Sequence, residues 1–318
     1  MEKISVFEIF KIGIGPSSSH AMGPWNSAKD FLTIIKNDRG GLKGAVKIEV
    51  ELFGSLAKTG MGHGTDKAIM MGLMGFDIKT FETHQLLNNL NLIDNEKKIN
   101  LLGELKIPFD PLKNIKFNFT DVVLDHANTM VFSLTFENRD SESETYFSVG
   151  GGFIHRKGVE VKTYEKSGIP YPIQTAQEML NWCELEDKTL AEISMENELC
   201  WQTKSEVNHQ LDKLWQVMLT SMYEGCYTKG KLPGGLNVTR RAFQLCESLL
   251  GKNKFDNIDD WIKLVMAQSN EMDIVTNWVS CFALAVNEVN ASYGRIVTAP
   301  TNGASGVIPA VLMYNVAF

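Results

Sequence analysis

The sequence predicts an α+β N-terminal domain with a largely antiparallel sheet, followed by an all-α C-terminal domain that is incomplete. Three observations carry this. Short runs with a strict period of two fill the first ~165 residues. Beyond the Ser167–Pro172 stretch, SGIPYP, that signal nearly vanishes and helical spacing takes over. The chain has 318 residues, enough for two domains that each bury a core. The expected division is 1–167 and 173–318.

Residues 45–53 alternate, with Val46, Ile48, Val50 and Leu52 on one face and Lys47, Glu49 and Glu51 on the other. A polar face opposite an apolar one predicts a half-exposed strand. Similar runs follow at Ile115–Phe119, Met130–Phe136 and Thr145–Val149, punctuated by Asn, Asp, Gly and Ser. Helices are expected after Ser19 and after Thr65. In the second half, Thr189 followed three residues later by Glu192 predicts a capping box that opens a helix over 189–199. Val207–Tyr223, Thr239–Leu250 and Ile274–Ala291 also read as helices.

Net charge is −7, from 31 basic and 38 acidic residues, and no basic block occurs. Nucleic acid and acidic membrane surfaces are therefore poor partners. Glu2 and Glu8 interrupt what would be a signal core. The apolar stretch Val275–Val289 carries Thr276, Asn277, Ser280, Asn287 and Glu288, so it reads as a buried helix rather than a membrane span. Five cysteines at wide, irregular spacing form no CxxC pair and no zinc-spaced cluster. A reduced, cytoplasmic enzyme is expected.

The segment Gly13-Ile-Gly-Pro-Ser-Ser-Ser-His20-Ala-Met-Gly-Pro24 is the richest in chemistry. Ser17, Ser18 and Ser19 sit where a helix should begin, so amide N–H groups, hydroxyls and the helix dipole suit a carboxylate or phosphate. One serine would serve as a cap, and three followed by His20 exceed that need. Gly60-Met-Gly62-His63-Gly64-Thr65-Asp66 places a second histidine between glycines, making it a candidate acid or base. Asp125-His126-Ala-Asn128 and Ser148-Val-Gly150-Gly-Gly152 flank strands. Leu232-Pro-Gly-Gly235 and Pro300-Thr301-Asn302-Gly303 are compact turns before helices, and for the former simple punctuation is the better physical reading. His84, His155 and His209 read as surface or structural histidines.

SVFEIFKIGIGPSSSHAMGP, FGSLAKTGMGHGTDKA, DHANTM, SVGGGF, LPGGLNVTRRA and VTAPTNGASGVIPAVL, in that order, resemble the motifs of the bacterial iron–sulfur L-serine dehydratases. The resemblance covers essentially the whole chain and is to the single-chain type. It implies conversion of L-serine to pyruvate and ammonia with a [4Fe–4S] cluster and without pyridoxal phosphate. It also implies that Ser17, Ser18, Ser19 and His20 line the serine site with His63, Thr65 and Asp66. His126, Asn128, Asn302 and Gly303 would complete it. His63 is the expected base, with His20 and His126 as rivals that the residues leave open. The expected partner is L-serine, and the expected assembly a homodimer.

Two positions depart from the pattern. Ala21 replaces the usual threonine after SSSH. Relatives carry a cluster cysteine in the PTNGACG turn or, in split forms, at the asparagine; here those positions are Ser305 and Asn302. No cysteine matches a cluster ligand, so no metal ligand is assigned and the five cysteines are expected to be structural. The reading is thus of a chain truncated at its C-terminus and inactive alone, with Val307, Ile308, Val311 and Leu312 left as apolar surface. Two alternatives remain: a cluster-less amino-acid-binding or regulatory protein of this family, and a different iron–sulfur hydro-lyase.

Overall fold

The computed structural model describes residues 4–121, 125–159, 168–233 and 236–318. Gly234 and Gly235 of the LPGG turn and the expected boundary at 167 lie outside them. Ser5 and Glu8 form a capping box for α1 (Val6–Ile9), which leads into β1 (Lys11–Ile14). Ser17 caps one π-helical turn, Ser18–Met22, which runs into α2 (Gly23–Arg39). β2 (Ala45–Leu52), α3 (Gly54–Thr59), α4 (Thr65–Leu73) and α5 (Leu86–Glu96) follow. Next come the hairpin β3 (Lys98–Leu101)–β4 (Leu105–Pro108), α6 (Pro111–Asn114) and β5 (Ile115–Phe117). β6 (Thr129–Phe136), β7 (Ser141–Gly150) and β8 (Phe153–Arg156) complete a sheet of order β5-β2-β6-β7-β8. Only its β2–β5 pair is parallel.

Helix α2 covers the sheet. Phe31 stacks on Phe132 with ring centroids 5.5 Å apart, and the Tyr146 hydroxyl donates to the Asp30 carboxylate at 2.8 Å. One face assignment changes. The β2–β6 register shifts between Ala45 and Lys47, and Val46 is 40% exposed while Ala45 is buried. An extra residue at a bulge reverses the parity of what precedes it. Ile48, Val50 and Leu52, beyond the shift, point inward as expected.

The second half comprises α7 (Ala176–Glu186), α8 (Leu190–Glu198), α9 (Lys204–Tyr227), α10 (Ala242–Leu250), α11 (Ile258–Met266), α12 (Met272–Ala291), β9 (Arg295–Thr298) and α13 (Val307–Ala317). Thr175/Glu178, Thr189/Glu192 and Thr203/Glu206 are capping boxes that open α7, α8 and α9. α12 is the central helix, with Trp278, Phe282, Ala285 and Val286 fully buried. Gly225 lets α9 lie against it, since a Cβ there would meet the Ala285 carbonyl oxygen at 2.3 Å. Val307, Val311 and Leu312 are exposed, whereas Ile308 packs against the Leu214, Met218 and Val297 cluster.

One strand interrupts these helices. β9 pairs antiparallel with β1, Lys11 opposite Thr298 and Ile14 opposite Arg295. The N-terminal segment is therefore built into the second half: Phe7, Phe10 and Ile12 pack around Leu214, Met218 and Val297. The buried Glu198 carboxylate accepts from the Ser5 hydroxyl at 2.9 Å and the Val6 amide at 2.6 Å. Among the described residues, no helix is long and apolar enough to cross a membrane.

Candidate active site

The β1–β9 pairing places the serine turn beside the PTNG turn. Gly15 N–H donates to the Gly294 carbonyl at 3.0 Å, and a Cβ on Gly15 would lie 1.9 Å from the Asn290 carbonyl oxygen. Only glycine permits that approach. The Asn290 side-chain amide, near the end of α12, donates to the carbonyls of Pro16 (3.2 Å) and Asn302 (3.4 Å). Its Oδ1 accepts from Asn302 Nδ2 at 3.2 Å. Asn302 is buried, and its own Oδ1 has no partner. Gly303 is exposed and its Cβ position opens onto free space.

His20 is where the other turns meet. Ser17 Oγ accepts from the His20 amide at 3.2 Å, and Ser19 Oγ lies 2.9 Å from His20 Nδ1. Two of the three serines thus serve His20, and Ser18 is buried beside them. His20 Nε2 lies 3.1 Å from Ser55 Oγ and 2.9 Å from Thr59 Oγ1. The Thr59 hydroxyl also bonds the Ser55 carbonyl at 2.9 Å, and a carbonyl can only accept. The single Thr59 proton goes there, so His20 carries its own proton on Nε2 and accepts from Ser19 at Nδ1. Thr65, fully buried, donates its hydroxyl to the His20 carbonyl at 2.6 Å. Burial, and then the neighbouring His63, hold the His20 imidazole below its ordinary pKa.

His63 stands 4.8 Å from His20 between ring centroids. Its Nδ1 lies 2.9 Å from the Thr59 carbonyl, so Nδ1 carries the proton in the neutral ring and Nε2 the lone pair. Among the described residues Nε2 has no partner. Asp66 follows in the first turn of α4; burial raises its carboxyl pKa, and Oδ1 is buried without a partner.

The DHAN loop joins through the backbone. The Ala127 carbonyl accepts from Ser55 N–H at 2.7 Å, and Ser55 is the residue that bonds His20. His126 Nδ1 accepts from the Asn128 amide at 3.0 Å, which puts the proton of the neutral ring on Nε2. The Asn128 side chain donates to the Ser148 carbonyl at 3.1 Å. Ser148 abuts the start of α2, since a Cβ on Gly23 would lie 2.0 Å from its Oγ. The sequence did not single out Ser55, Thr59 and Asn290 as participants, and it placed Ser148 only at a strand end. The Gly54-Ser55 turn and the polar Asn290 within an apolar helix were the available signals.

The profile of the serine dehydratase beta chain matches residues 5–159, and that of the serine dehydratase alpha chain matches residues 185–317. The chain belongs to the serine dehydratase family. It is 39% identical over 98% of its length to L-serine dehydratase TdcG of Escherichia coli (strain K12), covering 66% of that protein. It is 39% identical to an L-serine dehydratase of Haemophilus influenzae (98% of this chain, 66% of the relative). A Streptomyces coelicolor L-serine dehydratase is 35% identical (99% and 66%). The chain thus spans 66% of the length of these members of the family.

The donors near the serine turn do not fit the four-iron cluster that the resemblance implies. Ser305, buried, donates its hydroxyl to the Asn302 carbonyl at 2.6 Å, and both residues offer hard O and N atoms where iron–sulfur clusters take thiolates. Three cysteines do converge elsewhere, contrary to the expectation from their spacing. Cys226, Cys246 and Cys281 are buried, with their sulfurs all within 4.8 Å of one another. Thiolates that ligate different irons of a cube stand further apart than this, and Cys226 and Cys281 are already in contact at 3.8 Å.

Proposed function

We propose that the complete protein is an L-serine ammonia-lyase, producing pyruvate and ammonia, and that this chain supplies its serine-binding pocket and base. The observation that carries the reading is the free Nε2 of His63 beside the His20 network. His63 Nε2 takes the Cα proton, with Nδ1 held by the Thr59 carbonyl. His20 and His126 are less suited, because in each the lone-pair nitrogen already accepts a hydrogen bond. Ser17, Ser18, Ser19, Thr65, Asp66, Asn128, Asn302 and Gly303 form the walls of the proposed pocket. Loss of the β-hydroxyl then gives aminoacrylate, which hydrolyses. Hydroxide is a poor leaving group and calls for an electrophile. The described donors at Asn302 and Ser305 do not fit the [4Fe–4S] cluster. The proposed domains, 1–167 and 173–318, would meet at this pocket in a cytoplasmic homodimer.

The same donor set at Asn302 and Ser305 favours a second reading, an amino-acid-binding protein that has lost the cluster. Hydrogen–deuterium exchange at Cα of L-serine in D2O separates the two. An enzyme exchanges this proton in a His63-dependent manner, with a loss of about 10²–10⁴-fold in H63N. A binding protein takes up serine without exchange. The absence of both exchange and binding would overturn both readings.

A further inference from the structure

The convergence of Cys226, Cys246 and Cys281 lies outside the serine pocket. They come from three different helices, α9, α10 and α12, and each is 0–1% exposed. A buried cysteine alone is a small hydrophobe. Three whose sulfurs lie within 4.8 Å of one another are a different matter, because their positions have the dimensions of one coordination shell. Sulfurs bound at about 2.3 Å around a single tetrahedral ion stand about 3.8 Å apart. Cys226 Sγ and Cys281 Sγ are 3.8 Å apart, and the third sulfur is within 4.8 Å of both.

The surroundings fit as well. Trp261, fully buried, lies beside Cys246, and among the described residues its indole N–H has no hydrogen-bond partner. A buried N–H without a partner next to a thiol is available to support a metal thiolate. Cys281 Sγ also lies 3.6 Å from the Ala242 carbonyl oxygen, a further donor at the start of α10. A disulfide accounts for the group less well, since it would join two sulfurs at about 2.05 Å and leave the third unpaired.

We propose that Cys226, Cys246 and Cys281 form a three-thiolate site for one closed-shell thiophilic cation of the Zn2+ class, which ties α9, α10 and α12 together. The thiol protons leave to solvent as the ion binds, and no electron is transferred. The site is loaded as the helices assemble, because its sulfurs are sealed from water once they have packed.

Anaerobic refolding of the full 318-residue chain with Co2+, alone and in competition with Zn2+, tests this without reference to serine turnover. A single equivalent of Co2+ should give an intense thiolate charge-transfer band in the near ultraviolet, and Zn2+ should abolish it. The band should persist in the C183S/C200S variant and vanish in C246S. Should C246S fail to fold, alkylation of the unmodified chain decides: Zn2+ should slow labelling of the three sulfurs but not of Cys183 and Cys200. Absence of the band, its persistence in folded C246S, labelling indifferent to Zn2+, a mass loss from a disulfide, or iron with acid-labile sulfide bound to these cysteines would each overturn the single-ion site.

Discussion

His20 and His63 stand 4.8 Å apart between ring centroids, yet of the two only His63 presents a nitrogen without a partner among the described residues. The difference comes from what each ring faces. His20 sits among the hydroxyls of Ser19, Ser55 and Thr59, which engage both its nitrogens. His63 meets a single backbone carbonyl, which fixes one nitrogen and leaves the other without a partner among the described residues. One threonine, Thr59, serves both rings, with its hydroxyl on His20 and its carbonyl on His63.

Replacing His63 should therefore be felt at His20. In H63N the His20 pKa should rise, because a neighbouring charge is removed, but should stay below 6.5 because burial is the larger cause. Ring-proton NMR against pH would show it. An unchanged His20 titration would mean that the two rings are not neighbours in solution.

The same lowered pKa makes stability depend on pH. A group whose folded pKa is depressed contributes stability above its unfolded pKa and loses it as pH falls through the folded value. His20 should thus destabilise the fold on acidification below 6.5. Asp66 has the opposite sign: its raised folded pKa favours the fold below 3.8 and weighs against it as pH rises. In thermal melts across pH, H20Q should flatten the acid-side slope, and the gain from D66N should grow toward neutral pH.

Gly23 and Ser148 should behave as a coupled pair. G23A places a methyl 2.0 Å from Ser148 Oγ and should cost about 1–3 kcal/mol. S148G opens that space, so the double variant should lose less than the sum of the single losses. Denaturant melts of the four proteins in the cycle measure the difference, and strict additivity would refute the contact.

N290A should leave the Pro16 carbonyl without its side-chain donor and the Asn302 side-chain amide without its acceptor, at about 1–3 kcal/mol. N287A, one turn earlier at an exposed position, should stay within about 0.5 kcal/mol. Calorimetry on serine binding should show weakened affinity in N290A and not in N287A if the PTNG turn borders the pocket.

Local chemistry made much of this legible from the residues alone. The capping box at Thr189, the period-two strands and the order of the glycine turns depend on neighbours within a few residues, so they show in the sequence. The family was legible for the same reason, because its motifs are contiguous. Tertiary structure decided the rest. The four-residue strand Arg295–Thr298 is too short to show a period, and it exists through its pairing with Lys11–Ile14. A bulge, invisible in the pattern, turned Val46 outward. Which imidazole nitrogen is free depends on a carbonyl or hydroxyl brought from another turn. The cysteine triad is the clearest case. Its members lie on helices far apart in the chain, and their wide spacing argued against a shared site. Helix packing brought their sulfurs within 4.8 Å, because side-chain convergence is set by how helices cross and not by their separation along the chain.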